Sequence, residues 1–229
     1  MNLCIIPARV GSKRIPKKNI KNFCGKPIIL WAIKTAKLSN CFDRIIVSTD
    51  DSKIAKLCKN NGIEVPFIRP KEISDDHSDT ASVISHSINW FKQNDEKPTN
   101  VCCLYPTAAL VNSKDIQKGF KIYKNSNVNF AFTATSYPYP IQRSFKINKN
   151  NEIKMFYPKN YRKRSQDFEQ AFHDAGQFYW GKAEAWLRNK IIFDSKSIPI
   201  LIPRFKAQDI DTLEDWKNAE LIFKALHSK

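Results

Sequence analysis

Short apolar runs alternate with longer stretches whose apolar positions recur every three or four residues, and this alternation most limits the folds open to the chain. Leu3–Ala8, Arg44–Ser48, Glu64–Ile68, Asn100–Leu104, Val128–Thr135 and Ile198–Ile202 read as strands. Pro66 confines the third of these to an edge or to its first position. Between them lie helical patterns. One opens at Pro27-Ile28 and carries Leu30, Trp31, Ile33 and Ala36, and one follows Thr49 or Asp50 as its cap and ends at Gly62. A polar loop from Arg69 to Thr80 leads into a third, carrying Val83, Ile84, Ile88, Trp90 and Phe91. Asn112-Ser113 caps a fourth from Asp115 to Lys124, and a last one runs from about Thr212 to Leu226. Strands and helices alternating in this way imply right-handed crossovers and an α/β fold with a doubly wound, mostly parallel sheet.

The pattern breaks between Ser136 and Gly181. Pro138, Pro140 and Pro158, a turn at Asn148–Asn151, and the flanking runs Phe145–Ile147 and Ile153–Phe156 predict a small antiparallel insert, suited to a lid or a dimer contact. A length of 229 residues with 42% hydrophobic content supports one domain, 1–229, containing that insert, and leaves no room for two large ones. No stretch reaches the roughly 18 apolar residues of a membrane span, and the N-terminal run is too short for a signal peptide, so a cytoplasmic protein is expected. The six cysteines form no CxxC pair and the histidines no HExxH, which points to reduced thiols rather than a zinc site or a disulfide framework.

The formal charge of +16 favours an anionic partner but does not by itself distinguish nucleic acid, nucleotide and sugar acid. The densest cations narrow the choice. Leu3–Ala8 empties into a loop carrying Arg9, Lys13, Arg14, Lys17 and Lys18, at the carboxyl end of a strand, where open α/β sheets bind ligands. The chain lacks both GxxxxGK[ST] and GxGxxG, so phosphates have to be held largely by side chains, with Gly11-Ser12 allowing close approach of the backbone. Near the other end, the carboxylates of Asp209-Ile210-Asp211 fall on one face if the segment is extended. Mg²⁺ takes one or two such groups together with phosphate oxygens, although Asp211 can equally serve as a helix cap. Together the loop and the carboxylates describe attack of a hydroxyl on the α-phosphorus of a nucleoside triphosphate, with pyrophosphate expelled.

Ala8-Arg9-x-Gly11-Ser12-Lys13-Arg14-Ile15-Pro16-x-Lys18-Asn19, Gly25-Lys26-Pro27, Val47–Asp50, Arg69-Pro70, Ser78–Ser82 and Asp209–Thr212 span almost the whole chain. As a set they resemble the cytidylyltransferases that make CMP-activated nonulosonic acids, the CMP-sialic acid synthetase group. The resemblance implies a nucleotide-diphospho-sugar transferase (Rossmann-like) fold, CTP, Mg²⁺, a nine-carbon keto sugar acid and a homodimer. By position it implies that Arg9 and Lys13 hold the β- and γ-phosphates and that Lys18 and Asn19 hold the α-phosphate and ribose side. It further implies that Arg69 and the backbone around Ala81 read the cytosine edge, with Ser82 beside the nucleotide and Ala8 among the nucleotide-binding residues. Asp211, helped by Asp209, would bind Mg²⁺, making Arg9, Lys13, Lys18 and Asp211 the catalytic set.

Where sialic acid enzymes carry Gln-Pro-Thr-Ser-Pro-Leu-Arg, this chain has Tyr105-Pro106-Thr107-Ala108-Ala109-Leu110-Val111, and their Arg-Pro-x-Gly becomes His173-Asp174-Ala175-Gly176. Tyr137–Arg143, Arg164–Asp167 and His173–Gly181 instead resemble the pseudaminic acid branch of the group, which implies conversion of CTP and pseudaminate to CMP-pseudaminate and pyrophosphate. The N-acetylneuraminate or legionaminate reaction is the alternative. Tyr105 offers an apolar face for a deoxy-sugar methyl group, and Gln142, Arg143 and His173 are the candidates for its carboxylate or acylamino groups. Phe178, Tyr179 and Trp180 read as strand core, and Lys159–Arg164 as a surface or dimer-facing run. A basic nucleic-acid-binding module is the competing class, but no RNP-type aromatic motif accompanies the charge, so no nucleic-acid partner is expected.

Overall fold

The computed structural model describes residues 1–75 and 78–228; positions 76 and 77 of the polar loop lie outside the described residues. The strands are β1 (Asn2–Pro7), β2 (Asn22–Phe23), β3 (Lys26–Pro27), β4 (Arg44–Ser48), β5 (Asn100–Leu104), β6 (Phe130–Ser136), β7 (Phe145–Ile147), β8 (Ile153–Met155), β9 (Phe172–Lys182) and β10 (Ser197–Leu201). The α-helices are α1 (Ile28–Ser39), α2 (Ser52–Asn60), α3 (Thr80–Gln93), α4 (Ser113–Asn125), α5 (Ala183–Leu187) and α6 (Leu213–His227).

Six strands form the central sheet in the order β10-β6-β9-β5-β1-β4. β1 runs parallel to β4 and β5, and β10 parallel to β6, while β9 lies antiparallel between β5 and β6. Strand alternation sends Cys4 and Ile6 to one face, against Ile29 and Ile33 of α1, Ile54 of α2 and Ile116 of α4. Leu3 and Ile5 meet Ile84, Ile88 and Phe91 of α3 and Trp186 of α5 on the other. Helices on both faces leave β1 no polar side, which is why its sequence is an unbroken apolar run. Each of these fully buried aliphatic side chains contributes about 1.5–3 kcal/mol relative to exposure.

The chain passes from β1 through α1 to β4 on one side, then crosses to β5 on the other side of β1. Loops leaving the carboxyl ends of β1 and β5 therefore diverge, and the crevice between them is where a doubly wound sheet accepts a ligand. A third apolar cluster shapes that crevice. Ile15 of the loop after β1 and Ile210 before α6 are both buried with Phe23, Ile28, Trp216 and Phe223, which draws together two segments nearly 200 positions apart in sequence.

Glu64–Ile68 does not form a strand. It touches the sheet only through single bridges, Ile46 to Glu64 and Thr49 to Ile68, because Pro66 has no N–H to extend the ladder between them. The cap of α2 is Asp51, whose carboxylate accepts from the backbone N–H groups of Lys53 and Ile54, rather than Thr49 or Asp50. Asp211 is likewise not a cap: Thr212 and Asp215 make a reciprocal capping box at the start of α6. The β7–β8 hairpin appears as the turn residues predict. Phe172–Lys182 returns to the main sheet as β9, so the part that leaves the sheet is residues 137–171. Among the described residues no helix is long and apolar enough to cross a membrane.

Candidate active site

A cleft of about 630 Å³ opens over the carboxyl ends of β1 and β5. Of the residues singled out in the sequence, it brings together Arg9, Gly11, Ser12, Lys13, Lys18, Asn19, Arg69, Tyr105, Asp209 and Asp211. The loop after β1 is shaped from within: the Asn19 amide donates to the Arg9 carbonyl at 2.9 Å, and the Ser12 N–H donates to the Val10 carbonyl at 2.9 Å. The Asp50 carboxylate accepts from the Val10 N–H at 3.0 Å, fixing the loop to the end of β4. Ala8 is buried under the loop and donates its N–H to the Ser48 carbonyl.

The two ends of the chain meet at Lys18 and Asp211. The Lys18 ammonium donates to the Ile210 carbonyl at 2.6 Å and lies 3.4 Å from Asp211 Oδ1. Arg14 places Nη2 2.8 Å from the same carboxylate oxygen. Asp209 is exposed as a residue, yet partial burial of its carboxyl and then the charge of Asp211 raise its pKa above the ordinary carboxylate value, against the pull of Lys18 and Arg14. Two mutually repelling carboxylates at the rim of a cationic cleft are a donor set that fits a hard divalent cation completed by phosphate oxygens. Among the described residues no group of three or more acidic, histidine or cysteine side chains could hold a metal ion by itself.

The Arg69 side chain, in the lining of the same cleft, is almost fully buried and donates through Nε to the Ser74 hydroxyl at 3.1 Å. Its Nη2 has no hydrogen-bond partner and lies 3.8 Å from Asp50 Oδ1. Burial lowers the guanidinium's pKa, the Asp50 carboxylate opposes that shift and Arg9 adds to it. A buried donor without a hydrogen bond costs stability. The N-terminus of α3 opens onto the same cleft through Asp79 and Thr80, and Asp79 is that helix's cap, accepting from the Ser82 N–H at 2.7 Å.

A second cavity, of about 410 Å³, adjoins the cleft and shares Asp79, Thr80 and Tyr105 with it. Its other walls include Ala81, Asp174, Tyr179, Trp186 and Phe193. β9 carries extra residues opposite Phe132–Ala134 of β6, and Gly176 takes a left-handed φ of 60° there, which a glycine accepts at no steric cost. This bulge lifts Asp174 beside Tyr179, whose hydroxyl donates to Asp174 Oδ2, while the Gly176 N–H donates to Oδ1 at 3.0 Å. Tyr105 contacts the Thr80 hydroxyl at 3.0 Å, and burial pushes its phenol up to about 12. Phe178 and Trp180 are core as read, and Tyr179 is core along its ring with its hydroxyl in the cavity.

Other sequence candidates lie off the cleft. Ala81 lines the second cavity rather than the cleft, and Ser82 serves the cap of α3. Gln142 and Arg143 occupy a tight turn of the arm, donating to the carbonyls of Glu169 and Lys163. His173 places Nδ1 2.8 Å from the Asp174 carbonyl and packs on Tyr137. Sequence reasoning missed Arg14, Asp174 and Tyr179 as site residues, and gave Asp79 and Thr80 no role of their own. A cap signal was available for Asp79 before the apolar helix, whereas nothing local marks Asp174, which a bulge brings into place.

A family model described as Cytidylyltransferase matches residues 3–202, which leaves Asp209 and Asp211 beyond the matched stretch. The chain is 42% identical to a pseudaminic acid cytidylyltransferase of Campylobacter jejuni, over 99% of this chain and 97% of that protein. It is 28% identical to a CMP-N,N'-diacetyllegionaminic acid synthase of Legionella pneumophila, over 97% of this chain and 96% of that protein. Among solved structures, a CMP:2-keto-3-deoxy-manno-octonic acid synthetase complexed with CTP superimposes with a TM-score of 0.72, covering 98% of this chain and 99% of the other at 13% identity, which establishes the shared fold. From its sequence, its mixed α/β sheet and these relatives, the chain belongs to the cytidylyltransferase family and is a nucleotidyltransferase.

Proposed function

We propose that this enzyme transfers a cytidylyl group from CTP to pseudaminate, giving CMP-pseudaminate and pyrophosphate. The observation that carries the reading is one cleft lined together by Arg9, Lys13, Lys18, a buried Arg69 and two carboxylates, Asp209 and Asp211. Arg9 and Lys13 hold the β- and γ-phosphates, and Gly11-Ser12 lets the backbone come close. Lys18, pinned on the Ile210 carbonyl, faces the α-phosphate, with Asn19 on the ribose side. Arg69, at the lining of the same cleft, reads the cytosine edge. Asp211, with Asp209, would hold Mg²⁺, which when bound withdraws charge from the triphosphate and favours loss of pyrophosphate.

The second cavity receives the sugar acid. Its Tyr105, Trp186 and Phe193 suit a deoxygenated, methyl-bearing sugar, and Asp174 is an acceptor for an acylamino N–H. It shares Asp79, Thr80 and Tyr105 with the nucleotide cleft, so a sugar seated there lies next to the nucleotide. Gln142 and Arg143 in the arm and His173 on β9 do not line this cavity. We place the enzyme in the cytoplasm, consistent with six cysteines that are all free, four of them buried. The arm of residues 137–171 is proposed to join two copies in a homodimer.

Incubating the protein with CTP, Mg²⁺ and, in turn, pseudaminate, legionaminate and N-acetylneuraminate, with product detected by mass, tests the reading. The expected result is turnover with pseudaminate at least about tenfold above the others, the discrimination available from one polar and one methyl contact. Preference for another acid reassigns the sugar, and no CMP-sugar from any of them removes the reaction.

A further inference from the structure

Asp211, a proposed metal ligand, is engaged by two cations of the loop after β1. Arg14 Nη2 sits 2.8 Å from Oδ1 and Lys18 Nζ 3.4 Å from the same oxygen. The two contacts differ in kind. Lys18 is half-buried and also anchored on the Ile210 carbonyl at 2.6 Å, whereas the Arg14 side chain is 67% exposed on a long flexible stem. Its neighbour Ile15 is fully buried in the cluster with Ile210 and Trp216, which anchors the backbone at Arg14 beside the cleft while its guanidinium stays in solvent. Asp209, Asp211 and the neighbouring Asp215 against Arg14 and Lys18 leave a single net negative charge. A bare divalent cation must displace a guanidinium from Asp211, whereas a triphosphate brings its own negative charge to receive that guanidinium.

We infer that Arg14 is a further nucleotide-binding residue, parked on Asp211 in the free enzyme and transferred to a terminal phosphate oxygen of CTP when the nucleotide enters, so that the divalent cation gains Asp211 only together with the nucleotide. A guanidinium is suited to both stations, since carboxylate and phosphate each accept its paired N–H groups. No bond is made or broken in the exchange. This inference rests on the metal and CTP reading above.

The test uses the full chain, Mn²⁺ as a spin-active probe read by electron paramagnetic resonance, and α,β-methylene-CTP as an unreactive nucleotide. Wild type is expected to hold Mn²⁺ well only with the analogue present. Arg14→Gln should tighten nucleotide-free Mn²⁺ binding by up to about fivefold, the range for an exposed ion pair, and weaken analogue binding. Lys17→Gln removes the same charge from the same loop without touching Asp211, and should do neither. Equal effects of the two variants, or no effect of Arg14→Gln, overturn the inference while leaving the metal reading standing. Asp211→Asn separates the two: if nucleotide-dependent Mn²⁺ binding survives in that variant, the metal assignment itself fails and the role of Arg14 with it.

Discussion

Asp211 and Arg69 show how differently single side chains can be placed for binding. Asp211 is partly exposed and held by exposed or half-buried cations, so its replacement costs the fold little, about 0–1 kcal/mol for such pairs. Asp211→Ala is therefore expected to lower pyrophosphate release at least about a hundredfold while the melting temperature moves by no more than a few degrees. A coupled pyrophosphatase assay beside a thermal melt reads both, and near-normal turnover would remove Asp211 from the machinery. Arg69 is the opposite case, buried and one donor short of satisfied. Arg69→Lys keeps the charge but loses the planar fork, and is expected to raise KM for CTP roughly tenfold or more, the worth of a charged hydrogen bond. The Asp209–Asp211 pair and the cationic loop were legible because their residue types are unusual where they stand. Arg14 was not singled out among five cations, since only the folded chain shows which of them reaches across to a carboxylate.

At the level of elements, the start of α6 links stability to the site. Asp215 Oδ2 accepts from the Thr212 N–H at 2.7 Å, the Thr212 hydroxyl at 2.8 Å and the Asp211 N–H at 3.1 Å, so the cap also fixes the backbone that presents Asp211. Thr212→Ala is expected to cost about 1 kcal/mol and to weaken metal-dependent turnover, which denaturant melts and Mg²⁺ titration would measure. The Thr212 bonds hold the Asp215 carboxyl below its usual range. A carboxylate lowered in the folded state stabilises above its unfolded pKa, and that contribution fades as pH falls through the lower folded value. The cap's share of stability should thus be constant above about pH 5 and shrink on the acid limb, more in wild type than in Thr212→Ala. β9 was harder to anticipate. Phe178–Trp180 were legible as strand core, but strand polarity is not written in an apolar run, and nothing local says that this strand inserts antiparallel between β5 and β6. Close packing fixes it there. A Cβ at Gly181 would meet Phe130 ring carbons at 2.6 and 2.7 Å and the Trp186 indole nitrogen at 2.5 Å. Gly181→Ala should consequently lose about 1–3 kcal/mol by equilibrium unfolding, and a neutral result would mean that α5 shifts freely on the sheet.

For the whole molecule, the doubly wound plan was legible because buried parallel strands need uninterrupted apolar runs, and it located the cleft at the switch point between β1 and β5. The formal charge of +16 located nothing, since most lysines lie on solvated faces. What the fold leaves uncovered is the arm between β6 and β9, where Tyr139 is 81% exposed, Tyr161 74%, Ile153 68% and Ile147 64%, with Phe145 and Phe156 also exposed. Scattered single residues of this kind need no partner, but the β7–β8 hairpin presents Ile147 directly opposite Ile153 and Phe145 opposite Met155, a ladder of apolar pairs with little of its own chain against it. A two-stranded hairpin is marginal in water without a surface to pack on. A second copy related by a two-fold axis would supply the same patch in return and cover both at once. Sedimentation of the wild-type protein at micromolar concentration is therefore expected to give a dimer. Ile147→Asp combined with Ile153→Asp should give a monomer whose own core is intact, because neither side chain belongs to a buried cluster. A wild-type monomer, or a double variant that remains dimeric, would move the interface away from the arm.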